Sequence, residues 1–194
     1  MGNRPLLVAV DVQQLYRDFA PWALGDVEAV ANTIVGLAEA LRCPLLCTRT
    51  VLPSAHGVVT GPWHTYEERW QPLAVRVASE PGLLDPLPGL RRRCARVFDK
   101  HTYSAFEDPA FDAHVRAYRP SPLLIAGVEA DICVLATVFG ACDRNHPVWV
   151  ITDALSGPDA LAHRGALATL ARMPEQVRLV SAREAERALA PERS

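Results

Sequence analysis

Three side chains of this sequence could together run nucleophilic chemistry: Asp11, Lys100 and Cys133. Cys133 lies in LLIAGVEADICVLATVFGACD, residues 123–143, where an apolar run, a polar turn and a helical apolar pattern follow one another. That order reads as a buried strand, a tight turn from Gly127 to Asp131, and a helix opening at Ile132 with the cysteine on its first turn. Unpaired N–H groups and the positive end of the helix dipole stabilise an anion there, so the thiol is expected to ionise more readily than a free one. The other reading of a free cysteine is a small buried hydrophobe. Lys100 stands out by count, because 19 of the 20 basic residues are arginine and it is the only lysine. An ammonium kept where a guanidinium fork would not serve points to a site. Asp11 closes the apolar run from Leu6 to Val10.

A carboxylate, an ammonium and a thiol make a self-consistent set. The lysine favours the thiolate and holds the aspartate ionised, and the aspartate can accept and return a proton. The turn before Cys133 would present backbone N–H groups where a tetrahedral oxyanion forms, so acyl transfer is the reaction class. A Cys–His pair fails on distance. His146 follows a helix of about twelve residues, which places it roughly 18 Å from Cys133 at 1.5 Å per residue. The same length excludes a disulfide between Cys133 and Cys142. His101, beside Lys100, can line the site; His114 and His163 fall within helices, and His56 and His64 lack a third metal partner.

The elements that must position these residues alternate. Segments 6–10, 44–49, 95–100, 122–126, 148–152 and 177–180 read as strands, and 26–41, 108–119, 132–145 and 159–171 as helices. Asp26 and Asp108 are cap candidates, the latter followed by proline, and Ser181 with Glu184 forms a capping-box pattern before a last short helix. Apolar strands alternating with helices make an α/β protein, a three-layer α-β-α sandwich with a mostly parallel five- or six-stranded sheet and right-handed crossovers. Ligands bind at the carboxyl edge of such sheets, and Asp11, Lys100 and Cys133 each lie at or just past the carboxyl end of a different strand. Segment 50–72 breaks every period with proline and glycine yet carries Trp63, Tyr66 and Trp70. It reads as a pocket wall, a lid, or a short helix packed on the body or on another subunit. Segment 81–90 is too rich in proline for regular structure.

With 194 residues, 49% of them hydrophobic, one domain spanning 1–194 can bury roughly 70% of its unfolded surface. A net charge of −2 leaves no electrostatic footprint for nucleic acid or an anionic membrane. No apolar run approaches the roughly 20 residues of a membrane span, and the first residues lack a signal-peptide layout, so a soluble cytoplasmic protein is expected. Five cysteines, odd in number and without paired spacing, fit free thiols in a reducing compartment.

Asp11-Val12-Gln13 with Tyr16, Lys100 in DKHTYSAF, and GVEADICV from Gly127 to Val134 together resemble the isochorismatase-like cysteine hydrolases. That family includes nicotinamidases, N-carbamoylsarcosine amidases, ureidoacrylate amidohydrolases and isochorismatase, and the likeness runs from about residue 6 to 185. The resemblance implies Asp11, Lys100 and Cys133 as a catalytic triad, an oxyanion hole made by the amides of Glu129 and Cys133, and a cis peptide between Val128 and Glu129. It also implies a homodimer or homotetramer, and it suggests Trp63, Tyr103 and Phe106 as substrate-pocket residues. Where nicotinamidases carry an Asp-x-His metal motif, this chain reads Arg49-Thr50-Val51-Leu52, which argues against a bound metal and against nicotinamide as substrate. No cofactor is implied. Isochorismatases of the phenazine and siderophore type have another residue at the cysteine position, so Cys133 favours attack on a carbonyl. The expected function is a hydrolase that cleaves an amide or ureido C–N bond of a small molecule through a thioester. Vinyl-ether hydrolysis of the isochorismatase type, or an idle binding module on the same fold, are the alternatives.

Overall fold

In the computed structural model, which describes residues 4–52, 57 and 59–190, the apolar run Leu6–Val10 is an inner strand, β1, buried at every residue. A strand covered on both faces has no polar side to show, which is why its sequence does not alternate. The chain continues through α1 (Leu15–Asp18), α2 (Val27–Ala40), β2 (Leu45–Thr50), α3 (Pro62–Arg69), α4 (Gln71–Ser79), α5 (Pro88–Arg93) and β3 (Arg96–Lys100). It then adds α6 (Pro109–Tyr118), β4 (Leu123–Gly127), α7 (Leu135–Asp143), β5 (Val148–Leu155), α8 (Ala160–Leu170), β6 (Val177–Val180) and α9 (Ala182–Leu189). Six parallel strands form one sheet in the order β3-β2-β1-β4-β5-β6. The order reverses between β1 and β4, and at such a switch point the loops part to leave a crevice.

Alternate side chains of the strands feed two apolar layers. Leu7 and Ala9 pack with Ile34 and Leu37 of α2 and Leu189 of α9 on one face. Leu6, Val8 and Val10 pack with Phe111, Val115 and Val138 of α6 and α7 on the other. Asp108 accepts a hydrogen bond from the Ala110 N–H at the head of α6, and Ser181 with Glu184 forms the full capping box of α9. Asp26 precedes α2 without capping it; its Oδ1 instead accepts from the Ser156 hydroxyl at 2.5 Å.

One proline-rich stretch takes one of the forms expected of it, a short helix, and the other departs from expectation. Most of 62–79 is helical, as α3 and α4, and Pro81–Leu84 followed by α5 orders the segment expected to be irregular. Pro62, Pro72 and Pro88 stand in the first turn of α3, α4 and α5, where the missing N–H has no partner to lose, so they start helices rather than break them. His56 lies outside the described residues. No helix among the described residues is long and apolar enough to cross a membrane.

Candidate active site

Asp11 turns the chain out of β1 with φ at 53°, a left-handed conformation that aspartate tolerates better than most residues. Thr48 on the neighbouring β2 fixes it twice. The Thr48 hydroxyl accepts from the Asp11 N–H at 3.2 Å and donates to Asp11 Oδ1 at 2.7 Å. The other carboxylate oxygen, Oδ2, stands 2.7 Å from Lys100 Nζ, both side chains being almost wholly buried. Lys100, the last residue of β3, makes this pair although β2 lies between its strand and β1. Its ammonium also donates to Cys133 Sγ at 3.3 Å and to the Thr102 carbonyl at 3.0 Å. Three neighbours thus match the three protons of one ammonium. Gln13, fully buried, ties the exit of β1 to its surroundings: its amide donates to the Thr50 and Leu84 carbonyls and its oxygen accepts from the Thr50 N–H.

Cys133 is brought to the same point by the end of β4. Gly127 has φ of 127°, and any Cβ there would run into the backbone of Val10, so only glycine lets β1 and β4 approach this closely. The Val128 N–H donates to the Val10 carbonyl at 2.9 Å, and the Val128–Glu129 peptide is cis. The helix expected from Ile132 opens with a wide π turn, Ala130–Val134, in which the Val134 N–H reaches back five residues to the Glu129 carbonyl at 3.0 Å. The Ala130 N–H is anchored on the Ser156 carbonyl past the end of β5. Cys133 therefore sits inside this turn, ahead of α7.

The electrostatics reverse one expectation. Burial, with Asp11 adding to it, pushes the Cys133 thiol up to about 12, and Lys100 lowers it by less. The first turn of a helix does not outweigh removal from water plus an adjacent carboxylate. Burial also works against the charge on Lys100, but Asp11 and Cys133 prevail and its pKa is raised. The resting arrangement is a neutral thiol beside an ammonium–carboxylate pair.

Cys133 and Glu129 line a cavity of about 630 Å³. Trp63 and Tyr103 line it, their ring centroids 5.1 Å apart. Phe106 does not. It is 2% exposed, edge-on to Phe111 at 5.0 Å and stacked on His146 at 5.8 Å, because the short helical turn that carries it points into the layer beneath α7. His101 lines the cavity; His146 lies beyond the far end of α7. The cavity further holds Tyr16, Trp22, Tyr66 and Trp70, and only the aromatic spacing of 63–70 hinted at the last two. Thr48 gave no signal in sequence, since its role depends on lying beside Asp11 across two strands. At the position of the family's metal motif, the Arg49 guanidinium is ion-paired with Asp99 and with Asp85, the latter at 3.2 Å. That cation stands where a metal ion would need anionic or neutral ligands.

The model of the isochorismatase domain matches residues 5–184. The chain is 27% identical over 153 residues to the secreted isochorismatase effector Isc1 of Phytophthora sojae, covering 78% of this chain and spanning 61% of that relative's length. It is likewise 27% identical over 191 residues to the ureidoacrylate amidohydrolase RutB of Methylobacterium radiotolerans, covering 84% of this chain and 72% of the relative. In structure it is similar to an isochorismatase family protein of Desulfovibrio vulgaris, with a TM-score of 0.76 at 19% identity over 97% of this chain and 99% of the other. With a domain match over nearly its whole length, a fold that agrees, and motif residues gathered at one sheet edge, the chain belongs to the isochorismatase family of hydrolases.

Proposed function

We propose that the protein is a cysteine amidohydrolase in which Asp11, Lys100 and Cys133 act as the catalytic triad on an amide or ureido group of a small molecule. One observation carries the reading: a buried ammonium lies within 3.3 Å of both a carboxylate and a thiol, with the thiol facing a cavity large enough for a substrate. RutB, named for cleaving a C–N bond of a ureido compound, supports it. In the first step Sγ of Cys133 attacks the carbonyl carbon while its proton passes to Asp11. The carbonyl π electrons move to the oxygen, which the amide N–H groups of Glu129 and Cys133 receive. The C–N bond then breaks, Asp11 returns the proton to the departing nitrogen, and a thioester remains. Water adds to the thioester carbonyl, giving its proton to Asp11, and the thiol is released reprotonated. Lys100 holds the carboxylate and the developing thiolate as one buried cluster throughout. A single domain over 1–194, acting as a homodimer or homotetramer in the cytoplasm without metal or cofactor, completes the proposal.

Replacing Cys133 by Ala tests it. Ammonia or amine release from a panel of amides and ureido compounds is expected to fall to background. The named activity of Isc1 supports a second reading, in which Asp11 and Lys100 act on a vinyl ether and the thiol is a bystander. Turnover of a vinyl ether that survives Cys133→Ala would establish that reading instead.

A further inference from the structure

Six aromatic rings run along the cavity as one continuous wall. In order of contact they are Tyr103, Trp63, Tyr66, Trp70, Trp22 and Tyr16, with successive centroids 5.1, 5.5, 6.4, 4.9 and 5.6 Å apart. Each step is within the range of a favourable aromatic contact, so a ligand ring that touches one or two of them leaves the others available. Trp63, Tyr66, Trp70 and Trp22 are only half-buried, and all four are built onto ordered segments, α3 and the turns around α1 and α4. Leu73 and Val77 of α4 continue the apolar lining.

The charges of the cavity point the same way. Its guanidinium groups outside the triad are Arg49 and Arg69. Arg49 is ion-paired with Asp99 and Asp85, and Arg69 lies over the Trp70 ring at 5.3 Å. Two carboxyl groups, Asp99 and Glu129, share the lining, and burial raises the pKa of Glu129. A cavity of about 630 Å³ falls in the range that encloses a drug-sized ligand, roughly 300–1,000 Å³. The acrylate that gives RutB's substrate its name is an anion, whereas the two guanidinium groups of this lining are Arg49, already ion-paired with two carboxylates, and Arg69, stacked on the Trp70 ring.

From this wall and this charge pattern we infer that the substrate is an uncharged amide with an extended apolar or aromatic substituent longer than a single ring, seated along Trp63, Tyr66 and Trp70. The inference rests on the amide-hydrolysis reading for the chemistry, but it is tested by binding alone. Acetamide, benzamide, 4-phenylbenzamide and anionic 4-carboxybenzamide are titrated calorimetrically into full-length Cys133→Ala protein, with and without Trp70→Leu. The expected order is 4-phenylbenzamide tightest, by roughly ten-fold over benzamide, with 4-carboxybenzamide no tighter than benzamide and acetamide weakest. Trp70→Leu, which keeps an apolar side chain if not the full volume, is expected to cut the two-ring advantage to about three-fold or less. A circular-dichroism melt of each variant keeps loss of the ring distinct from loss of the fold. Equal affinity for one and two rings, tighter binding of the carboxylate, or no binding by any of the four would overturn the inference. Turnover by the wild type decides the other question: the expected binding order with no ammonia released from any amide keeps the apolar specificity and sinks amide hydrolysis. Ammonia release without the binding order does the opposite.

Discussion

A thiol held at about 12 by burial and by Asp11 does not wait as a thiolate at neutral pH. On the proposed mechanism the proton leaves as the sulfur attacks, with Asp11 as its acceptor and Lys100 bridging the carboxylate and the sulfur. The sign of the effect is testable. Since the folded-state pKa lies above that of a free thiol, alkylation of resting Cys133 by iodoacetamide is expected to stay slow through pH 7–9 and to rise only as the pH climbs toward 12. Asp11→Asn removes the second largest contribution to that shift and leaves Lys100 beside the sulfur. Alkylation of Cys133 at pH 7, read by peptide mapping, should therefore become faster than in the wild type, while amide turnover drops by roughly 10²–10⁴-fold. Slower or unchanged alkylation would mean that Asp11 does not govern the thiol. Folded-state stability runs in the same direction. A raised thiol pKa costs nothing below the unfolded pKa near 9 and erodes stability as pH rises from there, so a melting temperature that falls above pH 9 should fall less in Cys133→Ala.

At the scale of the elements, the candidate site draws on three strand ends and on one strand that carries none of Asp11, Lys100 and Cys133. β2 lies between β1 and β3, and its Thr48 holds both the N–H and the carboxylate of Asp11. Thr48→Val keeps the shape and deletes the hydroxyl, leaving a buried donor and acceptor unmatched. A loss of about 1–3 kcal/mol in denaturant unfolding is expected, together with a lower kcat as Asp11 gains freedom to turn. An unchanged midpoint and unchanged kcat would show the bonds to be dispensable. The strand ends were legible because a strand covered on both faces is an unbroken apolar run, and the first polar residue after it marks the edge. The π turn before α7 was not, because the same apolar spacing suits an α-helix; the difference is set by the anchor on Ser156 and the geometry around Glu129. The prolines of 81–90 misled for a physical reason as well, since a proline in a first helical turn and a proline in a loop look alike until the following residues are seen to pack.

Across the whole molecule, the order in which the parallel strands are laid down reverses between β1 and β4, and Asp11 and Cys133 flank that reversal. Both apolar layers share the one sheet, so neither can be released without exposing the other. Thermal unfolding followed by far-ultraviolet circular dichroism and by tryptophan fluorescence should give coincident single transitions; separated midpoints would mean that α3 and α4, with Trp63 and Trp70, come away before the sheet. The sequence by itself determined the six strands and the main helices between them, the carboxyl-edge placement of Asp11, Lys100 and Cys133, and the exclusion of His146, because periodicity and helix length are properties of neighbours along the chain. Only the tertiary structure decided that Thr48 and Gln13 hold the site, that Phe106 turns away from the cavity while Tyr16, Trp22, Tyr66 and Trp70 build its wall, and that Cys133 rests as a thiol. Those outcomes depend on which distant residues share a surface and how much water is removed between them, and neither is written in local spacing.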